Sequence, residues 1–597
     1  MDTLEMLKSL KGGEFLVKDA HPETIFTNEE FTEEHLMIKS MASDFVEKEV
    51  IPFGREIDKK KGEGLVPELL EKAGALGLLG TAIPEQYGGM EQDVITGTIL
   101  AEEFGRTGSF ATAAICHVGI GTLPILYFGN EEQKAKYLPK LATGEWKASY
   151  CLTEPGSGSD ALGAKTTAVL SADGTKWILN GQKMWITNAG FADVFTVFAK
   201  IDGKDFTGFI VEKGTPGLTL GAEEDKMGIR GSSTRQVFFE NCEIPAENML
   251  GERGKGHKIA FNILNIGRYK LGSTALGGAR QTFNLGVRYA LDRNQFGVSI
   301  STFGAIKYKI AEQAIKLFAL EAVANRVAMD IGKLEHELKE QGKTFSEALL
   351  GAAEEYSIEC AISKVFGSEV LDYVVDETVQ IHGGMGFSEE TDACRAYRDS
   401  RIARIYEGTN EINRLLTVDM LLKRAMSGKI DMMSPAMAVA KELTSIPDFG
   451  SGPEGTFGEE EQTLKNAKKA VLMVAGAGVQ KLMQKLKDEQ EILMNVADMI
   501  IDVYAMESLL ARVKKIHASR GEAETAIYTD VLKVYFNDAV ARINFSGKEA
   551  LQAFTGGDEL RMMLMGLKRF TKYSPFNTKD ARRRIADSIL EAGNYNL

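Results

Sequence analysis

Cysteine is scarce in this chain of 597 residues: Cys116, Cys151, Cys242, Cys360 and Cys394 lie far apart and form no CxxC pair. That spacing excludes a cysteine zinc ribbon and fits a reducing compartment. The seven histidines include no pair four residues apart, so a zincin-type helix is missing and no metal is expected. Net positive charge is lacking too: a formal charge of −14 and a pI near 5.3 argue against nucleic acid as the main partner. No GxxxxGK[ST] occurs. Gly156-Ser157-Gly158 is followed by a glycine only at 163, too late for GxGxxG, and it precedes a β region instead of following a strand. The N-terminus shows neither a basic segment leading an apolar run nor an Arg-rich transit sequence, so a soluble, cytoplasmic protein is expected. One stretch, Thr107 to Asn130, carries no charge beyond His117, but Gly108, Gly119, Gly121, Pro124 and Gly129 interrupt it. A buried core helix and turn is expected there, not a membrane span.

What is present is a change of texture along a chain long enough for several domains. Residues Phe31 to Gly144 are helical in pattern, with Ile38, Met41, Phe45, Val46 and Val50 at helical spacing. From Trp146 to Leu250 the pattern is β. Asn180-Gly181 between Trp177-Ile178-Leu179 and Met184-Trp185-Ile186 predicts a tight hairpin turn. Helical spacing returns after Gly254 and persists to Met426. Ile446 to Gly455 is a Gly/Pro-rich linker, and helices resume beyond it, with Ile492, Val496, Met499, Ile500 and Val503 on one apolar stripe. The expected units are 1–148 (helical), 149–253 (β), 254–428 (helical) and 429–597 (helical).

Three features could carry chemistry. In Tyr406-Glu407-Gly408-Thr409, a lone carboxylate follows apolar Ile405 and Tyr406 and precedes a glycine. Desolvation there would raise its pKa towards neutrality and make it a general base. A surface Glu at a helix start, with Thr409 as N-cap, fits equally well. Tyr150 to Asp160 is rich in hydroxyls and turn formers, suited to a heterocycle edge or to a plain connection. Trp185 and Thr187, two apart, offer a ring and a hydroxyl on one face of a strand.

Together these segments resemble the acyl-CoA dehydrogenase family. The likeness runs in order through Thr153-Glu154-Pro155-Gly156-Ser157-Gly158-Ser159-Asp160, Asn180 to Asn188 and Met227-Gly228-Ile229-Arg230-Gly231-Ser232. It continues through Arg293-Asn294-Gln295-Phe296-Gly297 and Gln380-Ile381-His382-Gly383-Gly384-Met385-Gly386-Phe387, and closes with Tyr406 to Asn410. The resemblance implies an α+β fold: an N-terminal α-helical domain, a central β-barrel-like domain and a C-terminal four-helix bundle, here with an extra C-terminal helical domain. It implies FAD, with Tyr150, Leu152, Thr153 and Ser159 lining the flavin and thioester region and Trp185 and Thr187 flanking the ring. Arg293 and Gln380, Gly383 and Gly384 would hold the pyrophosphate and adenine across a subunit interface, so an oligomer is implied. Thr409 and Glu411 would also approach FAD. Glu407 matches the base, with its own backbone N–H and a ribityl hydroxyl polarising the thioester carbonyl. Some relatives carry the base on an earlier helix; here that site is Gly267 in Asn265-Ile266-Gly267-Arg268, so Glu407 has no rival. Ser159, Asn265, Arg268, Tyr406 and Gly408 would meet the substrate, Arg268 at its CoA part or else as a structural ion-pair partner.

The long C-terminal extension resembles the very-long-chain branch of that family. This implies a dimer acting on long-chain fatty acyl-CoA in β-oxidation, with electrons passed to an electron-transfer flavoprotein. An acyl-CoA oxidase and a flavin-binding assembly factor for a respiratory complex are the alternatives. Small residues Ser109, Ala111, Ala113, Ala114, Gly119 and Gly121 either border an acyl tunnel or allow close helix packing. Residues 465–487 hold six lysines, no acid and an apolar side. Such a helix either lies on an anionic membrane or packs on its neighbours with its lysines solvated.

Overall fold

The computed structural model describes residues 9–59, 64–443 and 454–597. Most of the expected linker, 446–453, lies outside the described residues. The first helical layer contains Glu33–Phe45, Leu65–Ala75, Val94–Gly105, Ser109–Cys116 and Glu131–Ala142. Polar caps start several of these: Thr32, Asp93 and Asn130 each accept a backbone N–H of the first turn. In the uncharged Ser109–Phe128 stretch, 78% of the most apolar window is buried in the protein. It is broken at Gly119, whose φ/ψ of −101°/−108° is not helical.

Next comes a mixed eight-stranded sheet of β1 (Ala148–Cys151), β2 (Thr167–Leu170), β3 (Lys176–Thr187), β4 (Val194–Ile201), β5 (Asp205–Glu212), β6 (Leu218–Glu223), β7 (Thr234–Pro245) and β8 (Met249–Leu250). The order is β6-β7-β3-β2-β4-β5-β8, with β1 parallel to β4. The expected hairpin at Asn180-Gly181 is not formed; β3 runs straight through it. Gly181 sits at a register shift, where a Cβ would come 2.5 Å from Thr166 Oγ1, so the glycine serves a bulge and a close strand crossing. The turn lies one step earlier, at Asp173-Gly174, where Asp173 accepts from Ser171 Oγ and Thr175 and Gly174 has φ 73°.

Long helices follow: Gly256–Asp292, Gly304–Glu340, Ser357–His382 and Asn410–Met426, then Gly458–Leu482, Gln490–Arg520, Glu522–Phe554, Gly557–Phe570 and Thr578–Ala592. The last group is not an appended bead. One apolar core runs from Phe15 through Phe318 to Tyr504 and Phe536. Residues 9–31 thread between the layers: Phe15 meets Tyr504 edge-on at 4.8 Å, and buried Arg512 joins Glu29 (2.9 Å) to Glu321 (2.7 Å).

The stretch 465–487 has its apolar side largely taken up by the protein, with Val471, Leu472 and Leu486 buried in that core and Val479 and Met483 left 40% and 72% exposed. Its lysines are largely neutralised as well: Lys468 pairs with Glu507 at 2.7 Å, Lys469 with Glu442 at 2.9 Å and Lys481 with Glu559 at 2.6 Å. Two-sided packing accounts for the pattern.

Candidate active site

Glu407 lies between the turn Arg401–Arg404 and helix Asn410–Met426. Its φ is 58° and that of Gly408 is 79°, two successive left-handed residues. For a non-glycine this costs on the order of 1–3 kcal/mol and persists only where the surroundings impose it. Asn413 does so: its wholly buried amide donates to the carbonyls of Gly408 (2.8 Å) and Thr409 (3.0 Å) and at 3.4 Å to that of Glu407. Thr409 caps the helix, accepting the Ile412 N–H at 3.3 Å. The bent backbone delivers the carboxylate to helix Gly256–Asp292 at Gly267, where a Cβ would lie 2.8 Å from Oε2 and 3.1 Å from Oε1. The absent side chain at 267 is the seat of the carboxylate.

Oε2 is sealed from solvent and, among the described residues, has no hydrogen-bond partner. Burial pushes Glu407 up to about 7, with Arg268 and Lys364 drawing it back in part. Lys364 is fully buried and donates to Asn410 Oδ1 at 2.7 Å; burial brings it down to about 7, against the pull of Glu407. Arg268 is turned inward, its Nη1 donating to buried Asn265 Oδ1 at 2.8 Å and its Nε to the Glu407 carbonyl at 3.4 Å. Arg268 thus meets a backbone carbonyl and an amide oxygen, and among the described residues no carboxylate forms an ion pair with it. The arrangement is a carboxylate that titrates near neutrality beside two buried cations, suited to abstracting a proton from a weak carbon acid.

The residues expected on the flavin side gather on the sheet and the loop that leaves it. Tyr150 packs its ring edge-on to Phe198 at 5.2 Å, and its hydroxyl is buried with no partner among the described residues and feels the charge of Glu407. Leu152 and Thr153 are pinned by their carbonyls, which accept from Lys183 Nζ (3.2 Å) and the Met184 N–H (2.9 Å). Lys183 is wholly buried against Glu154 at 2.7 Å, and Glu154 accepts from the Lys165 (2.6 Å) and Thr166 (3.0 Å) N–H groups. That knot fixes a loop whose tip, Gly156 and Gly158, has open space on the Cβ side; Ser159 is exposed there. Trp185 and Thr187 are not a regular period-two pair. The register shifts between Lys183 and Ile186, and Trp185 has φ 61°. The Trp185 side chain is nonetheless 54% exposed, an aromatic face beside a polar loop and an orphaned tyrosine hydroxyl, which fits a planar heterocycle.

Arg293, Gln380, Gly383 and Gly384 lie elsewhere. Arg293 ends the helix that carries Gly267, twenty-six residues on, or ~39 Å at 1.5 Å per residue. Tyr289 stacks on His382 at 4.1 Å, bringing the Arg293 end beside exposed Gln380, Gly383 and Gly384. Both glycines have open space on the Cβ side. Glu411 is exposed on the first turn after Thr409, its carboxyl held low by its own backbone N–H and the Thr409 hydroxyl.

A cavity of ≈ 120 Å³ is lined by Tyr406, by Leu271, Ala275, Gly278, Thr282 and Leu285 along one stripe of helix Gly256–Asp292, and by the charged Arg106, Asp392, Arg395 and Asp399. Of the six small residues expected to border a tunnel, only Ala111 lines it. Ser109 bonds Asp58 at 2.6 Å, and a Cβ on Gly121 would meet Ala148 at 2.8 Å, so these two serve packing. The sequence reading missed Lys364 and Asn413. Lys364 had a signal, a lone lysine in Ala361-Ile362-Ser363-Lys364-Val365-Phe366, where burial without a task is costly.

Family models described as acyl-CoA dehydrogenase N-terminal, middle and C-terminal domains match residues 32–145, 149–242 and 254–422, and a further acyl-CoA dehydrogenase C-terminal model matches 466–569. A probable acyl-CoA dehydrogenase of Bacillus subtilis is 46% identical over 594 residues, 98% of each chain. The human short-chain specific enzyme is 40% identical over 67% of this chain and 93% of its own. The human very long-chain specific enzyme is 36% identical over 81% of this chain and 75% of its own. A crystal structure of an acyl-CoA dehydrogenase from Bacillus anthracis, complexed with FAD, superposes with a TM-score of 0.96 at 47% identity, covering 99% of this chain and 100% of that one. With these matches along its length, beside a carboxylate raised by burial on the bundle and a pinned polar loop at the sheet, the chain belongs to the acyl-CoA dehydrogenase family of FAD-dependent oxidoreductases.

Proposed function

We propose that this enzyme dehydrogenates long-chain fatty acyl-CoA to trans-2-enoyl-CoA and that an electron-transfer flavoprotein takes the electrons. The observation that carries the reaction is Glu407, whose Oε2 is sealed with no hydrogen-bond partner among the described residues and whose carboxyl is pushed by burial up to about 7, next in the chain to Tyr406 on the cavity wall. Ionised, it takes the proton α to the thioester carbonyl. The Glu407 backbone N–H, which has no acceptor among the described residues, is free to polarise that carbonyl oxygen. Arg268 and Lys364 favour the ionised base before transfer. FAD, when bound, supplies the acceptor for the β-hydrogen as hydride. Tyr150, Leu152, Thr153, Ser159, Trp185 and Thr187 would hold its ring system. A Glu407→Gln variant is expected to keep FAD and acyl-CoA binding while flavin reduction falls by on the order of 10²–10⁴-fold; unchanged reduction would remove Glu407 as the base.

The long-chain reading draws support from the helix stripe on the cavity wall, Leu271 to Leu285, which spans ~21 Å at 1.5 Å per residue against the ~15 Å of one bilayer leaflet. A profile of kcat/KM peaking at four to six carbons would overturn the long-chain reading. Turnover with oxygen outrunning that with an artificial one-electron acceptor would favour an oxidase. Dimerisation is part of the proposal: Arg293, Gln380, Gly383 and Gly384 sit too far along the bundle to serve the flavin beside their own Glu407, and Phe296 and Phe387 are 94% and 87% exposed beside them. A cytoplasmic site of action accords with five unpaired cysteines.

A further inference from the structure

Lys270 lies on the same long helix as Gly267 but faces a different cavity, one of ≈ 20 Å³ between that helix and Val94–Gly105. The lining is apolar, with Leu78, Leu79, Ile83, Leu100 and Phe104, apart from Lys270 and the threonines Thr81 and Thr122. Lys270 is 6% exposed, and a Cβ on Gly97 would lie 3.7 Å from its Nζ. Among the described residues no carboxylate pairs with this amine and no acceptor reaches it. This sets it apart from Lys183, Lys364 and Lys468, buried lysines that each donate to a side-chain oxygen. Thr122 is 2% exposed, and its Oγ1 is sealed without a partner.

Burial alone draws Lys270 down to about 8, so at pH 7 it is still mostly protonated and its charge is uncompensated. An isolated buried ammonium costs several kcal/mol. A water in the cavity would accept a hydrogen bond but bring no charge. The volume exceeds the roughly 10–15 Å³ a single water-sized particle needs and excludes a carboxylate-bearing metabolite. We propose that the Lys270 cavity is a binding site for one small monovalent anion, chloride in solution, held by the Lys270 ammonium and the Thr122 hydroxyl.

Bromide replaces chloride isosterically and scatters anomalously, so crystals of the FAD-loaded enzyme soaked in bromide test the site directly. An anomalous peak is expected within contact of Lys270 Nζ and Thr122 Oγ1. In solution, exchanging chloride for gluconate at constant ionic strength is expected to lower the unfolding midpoint of the holoenzyme. Lys270→Met, close to isosteric, is expected to abolish that dependence, and Thr122→Val to weaken it. A cavity holding only water, with identical midpoints in the two salts, would overturn the proposal. So would a bromide peak retained in Lys270→Met crystals. If Lys270→Met fails to fold, the salt exchange on the native enzyme and on Thr122→Val decides the matter.

Discussion

Replacing Gly267 by alanine tests the seating of the base with little risk to the fold. The new methyl carbon would stand 2.8 Å from Glu407 Oε2, 3.0 Å from its Cδ and 3.1 Å from Oε1. Relaxed nonbonded contacts lie near ~3.5 Å, so the carboxylate must retreat by roughly half an ångström or more. It is the far end of a flexible side chain and can do so without moving backbone. Within helix Gly256–Asp292, alanine is favoured over glycine by roughly 0.5–1 kcal/mol, so stability should hold or rise slightly. Catalysis should not hold, because a ~1 Å misplacement of a reacting group costs on the order of 10²-fold, or about 2.7 kcal/mol of barrier. The expected outcome is flavin reduction slowed by on the order of 10–100-fold at saturating acyl-CoA, with thermal unfolding and flavin content unchanged. Stopped-flow reduction and a melting curve on the same sample measure both. A wild-type rate with a normal melt would refute the seating of Glu407 against Gly267.

Four further outcomes follow from buried charges. With Glu407 near 7 and active only when ionised, the rate of flavin reduction should rise with pH through about 7. Lys364→Met removes a cation that favours ionisation and should move that midpoint to higher pH; an unmoved midpoint would exclude the coupling. Lys183→Met strips Glu154 of its buried counter-ion and should destabilise by about 3 kcal/mol and loosen flavin retention, measured by unfolding and by absorbance after gel filtration. Glu359 has one oxygen on the Gly13 N–H at 2.7 Å and the other sealed and unpartnered, and burial raises it from 4.5 to about 7. Its folded pKa lies above its unfolded one, so its favourable contribution is full below pH 4.5 and is lost as pH rises through about 7. Glu359→Gln should therefore gain at most ~3 kcal/mol over wild type at pH 8 and nothing at pH 4, by denaturant unfolding at the two pH values.

Local chemistry was legible where it acts over a few residues. Thr409 reads as a cap and is one, and the β texture from Trp146 to Leu250 became the sheet. Asn180-Gly181 misled because glycine serves a bulge as well as a turn, and only the Thr166 backbone crossing it decides which. The small residues 109–121 left tunnel and packing open, since smallness on one helix does not reveal which neighbour fills the gap, and at Ser109 and Gly121 packing fills it.

The order of motifs in the sequence by itself determined the family and the cofactor, and it singled out Glu407 as the proposed base, because each motif is a contiguous run whose chemistry travels with it. It could not yield the raised pKa of Glu407. That comes from burial against distant segments, Gly267 among them, with Arg268 and Lys364 opposing it; these residues stand between 43 and 140 residues away in the chain and meet the carboxylate only when the helices pack. Desolvation belongs to the packed volume around a group and not to its neighbours in sequence. The same reason hid Lys270, an ordinary lysine in the chain until two helices close an apolar cavity around it.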